Sequence, residues 1–145
     1  MEALLDVNAL IALFWAGHPF HERMQRWFGR HAKAGWATCP FTEAGFVRIL
    51  SNPRLSAHAV SPREAVEVLE ASRQHAAHRF WADDVPVSEC VQPFQQRLVG
   101  HLRVTDAYLL GLALHKKGKL ATMDEGIASL LPGNGKGHSY LEIIP

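Results

Sequence analysis

A short apolar segment that ends at a carboxylate sets the first limit on the fold class. Ala3 to Leu5 are consecutively apolar, as in a strand buried on both faces, and Ala9 to Leu13 continue as an apolar helix. Asp6 therefore lies where the predicted strand ends. Ligands bind at this edge of an open α/β sheet, so Asp6 is a candidate site residue. Asp6 and Asn8 also suit the N-cap position, and the alternative interpretation is that one of them only caps the helix.

The same order of strand and helix returns along the chain. Further strands are predicted at Trp36–Cys39, at Phe80-Trp81, at Lys119–Thr122 and at Tyr140–Ile144, the last at a sheet edge. Helices are predicted at Phe20–Lys33, Thr42–Leu50, Pro62–His75, Ser88–Val99 and Thr105–Lys117. This alternation predicts a three-layer α/β/α sandwich with a central, mostly parallel sheet.

Three helix starts are predicted from capping residues. Ser61 precedes a proline and a capping-box glutamate, whereas Ser88 and Thr105 are simpler N-cap candidates. Pro93 should confine the regular part of the Ser88 helix to its later residues. The glycine-rich segment 132–138 is predicted to be a loop.

Composition limits the chain to a few classes. The 145 residues, of which 48% are hydrophobic, fit one compact domain over 1–145. A formal charge of +1 excludes a global basic field that gathers nucleic acid, so contacts with a polyanion must be local. Cys39 and Cys90 are expected to be core residues in a reducing, cytoplasmic compartment. The apolar run from Ala9 to Ala16 is not expected to be a signal peptide, because no basic segment precedes it, and no apolar run is long enough for a membrane-spanning helix to be expected.

A basic stripe is predicted on the second helix. Arg23, Arg26, Arg30 and Lys33 recur at spacings of three and four residues beside an apolar stripe. The simpler interpretation is a solvated face. The functional alternative is a surface for phosphates or a partner groove rimmed with charge.

Four carboxylates fall at strand ends or helix starts that should share one edge of the sheet. They are Asp6, Glu43, Asp106 and Asp124, with Glu125 as an extra carboxylate near the last of them. Two carboxylates about 4 Å apart repel by roughly 4 kcal/mol at an effective dielectric near 20, so a cluster of them needs protons or a cation. Oxygen ligands alone favour Mg²⁺ or Mn²⁺ over zinc. Glu43 and the other first-turn acids also have a purely structural explanation, because the helix dipole favours them.

These motifs, taken in order, resemble the PIN domain family and most closely its VapC-type toxins. The resemblance is carried by Leu4-Leu5-Asp6-Val7-Asn8, Thr42-Glu43, Val104-Thr105-Asp106-Ala107-Tyr108-Leu109 and Leu120-Ala121-Thr122-Met123-Asp124. It implies a metal-dependent endoribonuclease that cleaves structured RNA of the tRNA or rRNA class. It also implies a VapB-type antitoxin that covers the acidic pocket, and a toxin homodimer.

Residue roles follow from the same resemblance. Asp6, Glu43, Asp106 and Asp124 match the acidic motif positions and are expected to bind Mg²⁺ or Mn²⁺ and to be catalytic. Asn8, Thr105 and Thr122 are expected to orient those acids or bind water. Two alternatives stay open: a weak or inactive module that acts by binding RNA or a partner, and a DNA-directed nuclease of the same chemistry.

Overall fold

The computed structural model describes residues 1–55 and 57–145 as alternating strands and helices. The strands are β1 (Ala3–Leu5), β2 (Trp36–Thr38), β3 (His78–Phe80), β4 (Lys119–Thr122) and β5 (Leu141–Ile143). The helices are α1 (Val7–Phe14), α2 (His21–His31), α3 (Pro40–Leu50), α4 (Pro62–Arg73), α5 (Val87–Val91) and α6 (Val104–His115). Short 3₁₀ helices occupy Ala32–Ala34, Gln92–Arg97, Glu125–Leu130 and Pro132–Gly135.

The central sheet has the strand order β3-β2-β1-β4-β5, and every pairing is parallel. Leu4 pairs with Ala37 on one side and with Leu120 on the other, so β1 is the middle strand. β5 lies at the sheet edge, as predicted. Because parallel strands end at a common edge, β1 and β4 deliver Asp6 and Asp124 to the same side of the molecule.

Apolar side chains cover both faces of the sheet. On one face Leu5 and Trp36 pack with residues of α1 to α4, and on the other face Leu4 and Leu120 pack with residues of α5 and α6. The neighbours Leu4 and Leu5 thus face opposite layers, as alternation along a strand requires. The predicted three-layer α/β/α sandwich is confirmed.

Two of the predicted helix starts are wrong. Ser88 does not cap α5, because the carbonyl of Pro86 accepts hydrogen bonds from the amides of Glu89 and Cys90 at 3.0 and 3.1 Å. Thr105 does not cap α6, because the carbonyl of Arg103 already accepts the amide of Ala107 at 3.0 Å. In both places the chain turns into the helix before the residue with the better capping side chain.

Proline geometry explains two further differences. The predicted helix 88–99 becomes the short α5 and a 3₁₀ helix, because Pro93 has no amide hydrogen to continue an α-helix. The regular part therefore precedes Pro93, and its prediction in the later residues is wrong. The segment 132–138, predicted to be a loop, begins with the 3₁₀ helix Pro132–Gly135. By contrast, Ser61 caps α4 as predicted and accepts the amide of Glu64 at 3.1 Å.

The two cysteines and the basic stripe lie at different depths in the protein. Cys39 and Cys90 are buried free thiols, as predicted. Of the basic stripe, Arg23 donates to the carbonyl of Ile144, and the remaining members are exposed: Arg26, Arg30 and Lys33. The apolar stripe beside them buries Met24 and Trp27.

Across residues 1–55 and 57–145, no helix is both long and apolar enough to cross a membrane.

Candidate functional site

Asp6 caps α1 and is almost completely buried at the end of β1. Its Oδ1 accepts the amide of Ala9 at 2.7 Å, and its Oδ2 accepts the hydroxyl of Thr122. Burial raises the pKa of Asp6 to about 6, against the opposing effect of these hydrogen bonds, and the charges of Asp106 and Asp124 raise the pKa further. The capping interpretation of Asp6 is confirmed, whereas its role as a site residue stays a prediction that its place in an acidic cluster supports.

Thr122 links the first acid to the last. Its Oγ1 donates to Asp6 and accepts the amide of Asp124 at 2.9 Å. Asp124 then accepts the amide of Gly126 at 2.8 Å through Oδ1, which starts the following 3₁₀ helix. Thr122 is fully buried and thus holds both acidic residues in place from within the protein. These contacts fit the orienting role expected for Thr122, which stays a prediction.

Arg103 joins Asp124 to Asp106. A single nitrogen, Nη1, lies 2.6 Å from Oδ2 of Asp124 and 3.0 Å from Oδ2 of Asp106. A continuous chain of contacts therefore runs through Asp6, Thr122, Asp124, Arg103 and Asp106. Three of the four predicted acids meet in this cluster.

Arg103 affects the two acids that it contacts differently. The hydrogen bond from Arg103 lowers the pKa of Asp124, which is 41% exposed. Burial raises the pKa of Asp106 and outweighs its ion pair with Arg103. The sequence interpretation assigned no role to Arg103, although its spacing of three residues from Asp106 at a helix start is a signal for an ion pair.

Glu43 lies in a different network. Its Oε1 accepts the hydroxyl of Thr38 at 2.7 Å and lies 3.5 Å from Nε of Arg73. The oxygen of Thr38 is also 2.8 Å from Nε2 of His78, whose pKa is lowered to about 4 by burial and by Arg73. Within residues 1–55 and 57–145, no hydrogen bond or ion pair joins Glu43 to the three aspartates. Its place among the metal ligands stays a prediction.

The remaining candidates are exposed. Asn8 and Asp124 line one cavity of about 320 Å³, while Thr105 lies on the first turn of α6 and lines another. Glu125 is exposed at the start of a 3₁₀ helix. For the part of the chain that the structure describes, no side-chain hydrogen bond connects Asn8, Thr105 or Glu125 to the aspartates. Their roles at the site stay predictions.

A mostly apolar cavity of about 410 Å³ adjoins the cluster. Val7 and Thr105, the chain neighbours of Asp6 and Asp106, form part of its wall. Phe41, which is 49% exposed, and Arg48 form another part. The ring of Phe41 lies 5.4 Å from that of Tyr108. The cavity is within the size range of sites for small molecules.

The acidic cluster fits a hard divalent cation by its chemistry and charge. Three ionised carboxylates and one guanidinium leave two negative charges, and the available donors are oxygens. The site is not preformed, since no three Asp, Glu, His or Cys residues among those described are placed to hold a metal together. The guanidinium of Arg103 already lies between Asp106 and Asp124, which is one reason why these carboxylates are not placed to hold a metal together.

The fold and the acidic cluster together characterise a class of protein, and comparison with known protein families shows which class it is. The family model described as PIN domain matches residues 3–130. The crystal structure of VapBC2 from Rickettsia felis bound to a promoter DNA fragment has a TM-score of 0.64 at 12% identity and covers 98% of both chains. The Mycobacterium tuberculosis VapC20 structure, described as a sarcin-ricin loop cleaving toxin, has a TM-score of 0.64 at 17% identity. It covers 88% of this chain and 93% of that chain.

Sequence relatives narrow the class. Ribonuclease VapC38 of Mycobacterium tuberculosis is 48% identical over 128 residues, which cover 88% of this chain and 89% of the relative. Ribonuclease VapC44 of the same species is 39% identical over 139 residues, which cover 95% of this chain and 97% of the relative. The chain therefore belongs to the VapC ribonucleases of the PIN domain family.

Proposed function

We propose that the chain is an Mg²⁺- or Mn²⁺-dependent endoribonuclease that acts as the toxin of a toxin–antitoxin pair. The observation that carries the proposal is the chain of contacts that joins Asp6, Asp124 and Asp106. Distant segments bring these acids to one sheet edge, where burial makes their mutual repulsion costly. The relatives named as ribonucleases support the same chemistry.

Each residue of the cluster has a part in this chemistry. Asp6, Asp106 and Asp124 would hold the cation, and Thr122 keeps the carboxylate of Asp6 and the backbone of Asp124 in place. When bound, the cation supplies Lewis acidity and positive charge at a scissile phosphate. Hydrolysis then needs no nucleophilic side chain.

The neighbouring cavity is the proposed binding site for a nucleotide beside the scissile bond. The exposed ring of Phe41 can stack on a base, and Arg48, which is exposed on the same wall, can contact a phosphate. Single-stranded or unstacked bases suit such a site, which favours loops of structured RNA of the tRNA or rRNA class. The description of VapC20 as a sarcin-ricin loop cleaving toxin is consistent with cleavage in a loop.

A VapB-type antitoxin is the proposed partner. VapBC2 from Rickettsia felis was crystallised as such a complex with promoter DNA. In this chain Val99 and Leu102, which are four residues and one residue before Arg103, are 85% and 81% exposed, so apolar surface lies close in sequence to the acidic cluster. The proposed antitoxin segment binds Val99 and Leu102 and extends from there over the acids. A homodimer and a cytoplasmic location are part of the same proposal.

The cleavage test compares the wild type with Asp6→Asn on tRNA and ribosomal RNA. We expect new RNA ends with the wild type in Mg²⁺ or Mn²⁺, and none with Asp6→Asn or in EDTA. Glu89→Gln, which removes an exposed carboxylate on α5, is the matched control and should cleave normally. RNA binding without cleavage would favour the binding module, and preferential cleavage of DNA would favour the DNA-directed nuclease.

Phe41→Ala tests the nucleotide site. Loss of a stacked base costs about 1–3 kcal/mol, so we expect kcat/KM for RNA to fall about 5- to 150-fold, mainly through KM. Phe80→Ala is the control, because Phe80 is 48% exposed but lies on the edge strand β3 and not in the cavity wall. Equal losses in both variants would contradict a stacking role for Phe41.

A further inference from the structure

The guanidinium of Arg103 occupies a closely fitted position between two acids. Nη1 contacts both Asp124 and Asp106, and the side chain is 31% exposed. Gly126 forms the adjacent wall, where a Cβ atom would overlap Nη2 of Arg103. The backbone of Gly126 is not in the left-handed region, so its conformation does not require a glycine. The space that the side chain of Arg103 needs explains why this residue is a glycine.

The same contacts leave one oxygen of Asp106 free for another cation, whereas both oxygens of Asp124 accept hydrogen bonds. Arg103 uses only Oδ2 of Asp106, and the other oxygen accepts no hydrogen bond from the residues that the structure describes. Arg103 supplies one positive charge to a cluster of three carboxylates. A divalent ion between Asp106 and Asp124 would neutralise the cluster more completely. It would, however, be repelled by the positive charge of the guanidinium and would need the space that the guanidinium occupies.

Arg103 can leave this position without unfolding the protein. It is the N-cap residue of α6, so its backbone is fixed by the helix while its partly exposed side chain can rotate towards solvent. No core side chain has to move, because Arg103 contacts the acids and Gly126 at the molecular surface. The exchange therefore needs only side-chain rotation.

We propose that Arg103 is an internal counter-ion that holds Asp106 and Asp124 together in the metal-free protein and competes with the divalent cation for them. The inference rests on the proposed metal-dependent function. It raises the metal concentration at which the site is half-saturated, because each ion that binds must displace Arg103. It also explains how Asp106 and Asp124 stay close together in the folded protein when no metal is bound.

Metal affinity of Arg103→Gln, measured by titration calorimetry with Mn²⁺ alone, tests the competition. We expect Arg103→Gln to bind Mn²⁺ about tenfold more tightly than the wild type, and to unfold at a lower temperature in EDTA. Arg97→Gln is the matched control, since Arg97 is also an exposed arginine of this region but has no ion pair among the described residues. Its Mn²⁺ affinity and its unfolding temperature in EDTA should equal those of the wild type.

Gly126→Ala displaces the guanidinium without removing its charge. The new methyl group would overlap Nη2 of Arg103 and would lie 3.0 Å from Oδ1 of Asp124, whereas the amide that donates to Asp124 is retained. We expect Gly126→Ala to bind Mn²⁺ more tightly as well. This variant keeps the test decisive if Arg103→Gln folds poorly.

The outcomes separate this inference from the proposed function. If the wild type binds Mn²⁺ and both Arg103→Gln and Gly126→Ala bind it equally or more weakly, Arg103 is not a competitor, although the metal site stands. If neither the wild type nor the variants bind Mn²⁺ or Mg²⁺, the proposed metal-dependent function fails and the inference fails with it.

Discussion

Asp6 combines two roles with conflicting requirements. Capping of α1 favours the ionised carboxylate, whereas burial beside two further acids favours the protonated one. Burial dominates, because the pKa of Asp6 rises from 3.8 to about 6. A folded-state pKa above the unfolded value contributes stability that is present below about pH 4 and is lost as the pH rises through about 6.

The first prediction follows from this sign. In EDTA, the free energy of unfolding of the wild type should fall relative to that of Asp6→Asn by up to about 3 kcal/mol between pH 4 and pH 7. Asparagine keeps an oxygen for the amide of Ala9 but does not titrate. Urea unfolding at several pH values measures the difference. Parallel pH profiles for the two proteins would contradict the raised pKa.

Thr122 gives a second prediction at the residue scale. Thr122→Val keeps the shape but leaves Oδ2 of Asp6 and the amide of Asp124 without their partner. We expect a loss of about 1–3 kcal/mol in unfolding free energy and weaker Mn²⁺ binding. Thr122→Ser keeps the hydroxyl, so calorimetry should show nearly normal Mn²⁺ affinity. Similar affinities for the Val and Ser variants would mean that the hydroxyl does not orient the acids.

At the scale of elements, the packing of α6 against α5 determines where Asp106 lies. Gly111 in the middle of α6 touches the backbone of Cys90 so closely that a Cβ atom would overlap its carbonyl oxygen. Two helices can approach in this way only if one presents no side chain. The close contact fixes α6 relative to α5, and α6 carries Asp106 in its first turn.

Gly111→Ala is therefore predicted to destabilise the protein by about 1–3 kcal/mol, because α5 and α6 must separate. Gly29→Ala on α2 is the control, since a Cβ atom there meets nothing within 4 Å. Removing a helical glycine at this exposed position should stabilise the protein by up to about 1 kcal/mol. Thermal unfolding of Gly111→Ala and of Gly29→Ala measures these two changes in stability. Equal effects would mean that helix propensity, and not the contact with Cys90, governs Gly111.

Elements with a strong local pattern were predictable, and those that depend on distant partners were not. The apolar runs that form β1, β4 and α6 are unambiguous in the sequence, because burial on both faces leaves no polar alternation. The starts of α5 and α6 were wrong, because Ser88 and Thr105 have good capping side chains but the chain turns earlier. A capping preference of about 1 kcal/mol is small enough for tertiary contacts to override it.

The candidate site divides in the same way. The edge position of Asp6, Asp106 and Asp124 follows from strand ends and helix starts, so their convergence was predictable. The partners of Glu43 were not, since Arg73 and His78 reach its network from α4 and β3. Arg103 illustrates a second limit, because an arginine near an acid in sequence is usually a surface ion pair of little consequence.

For the whole molecule, the sheet order explains how residues far apart in sequence form one acidic cluster. β1 and β4 are neighbours although more than a hundred residues separate them, and their pairing places Leu5 beside Ala121. Asp6 follows the first of these residues, and Thr122 follows the second. The two faces of the sheet are buried under separate helical layers, so the cluster is held by the complete fold and not by one hairpin.

This dependence on the whole fold leads to the last prediction, that metal binding stabilises the protein and reverses its response to pH. A ligand that binds only the folded protein adds about 2.7 kcal/mol at a hundred times its Kd. Protons compete with the cation for Asp6, whose pKa is about 6, so the gain in unfolding temperature from Mn²⁺ should be larger at pH 7.5 than at pH 5. Asp106→Asn should lose most of this gain at both pH values, while Glu89→Gln should retain it. Scanning calorimetry in Mn²⁺ and in EDTA measures the difference, and a gain that is independent of pH would place the ion away from the cluster.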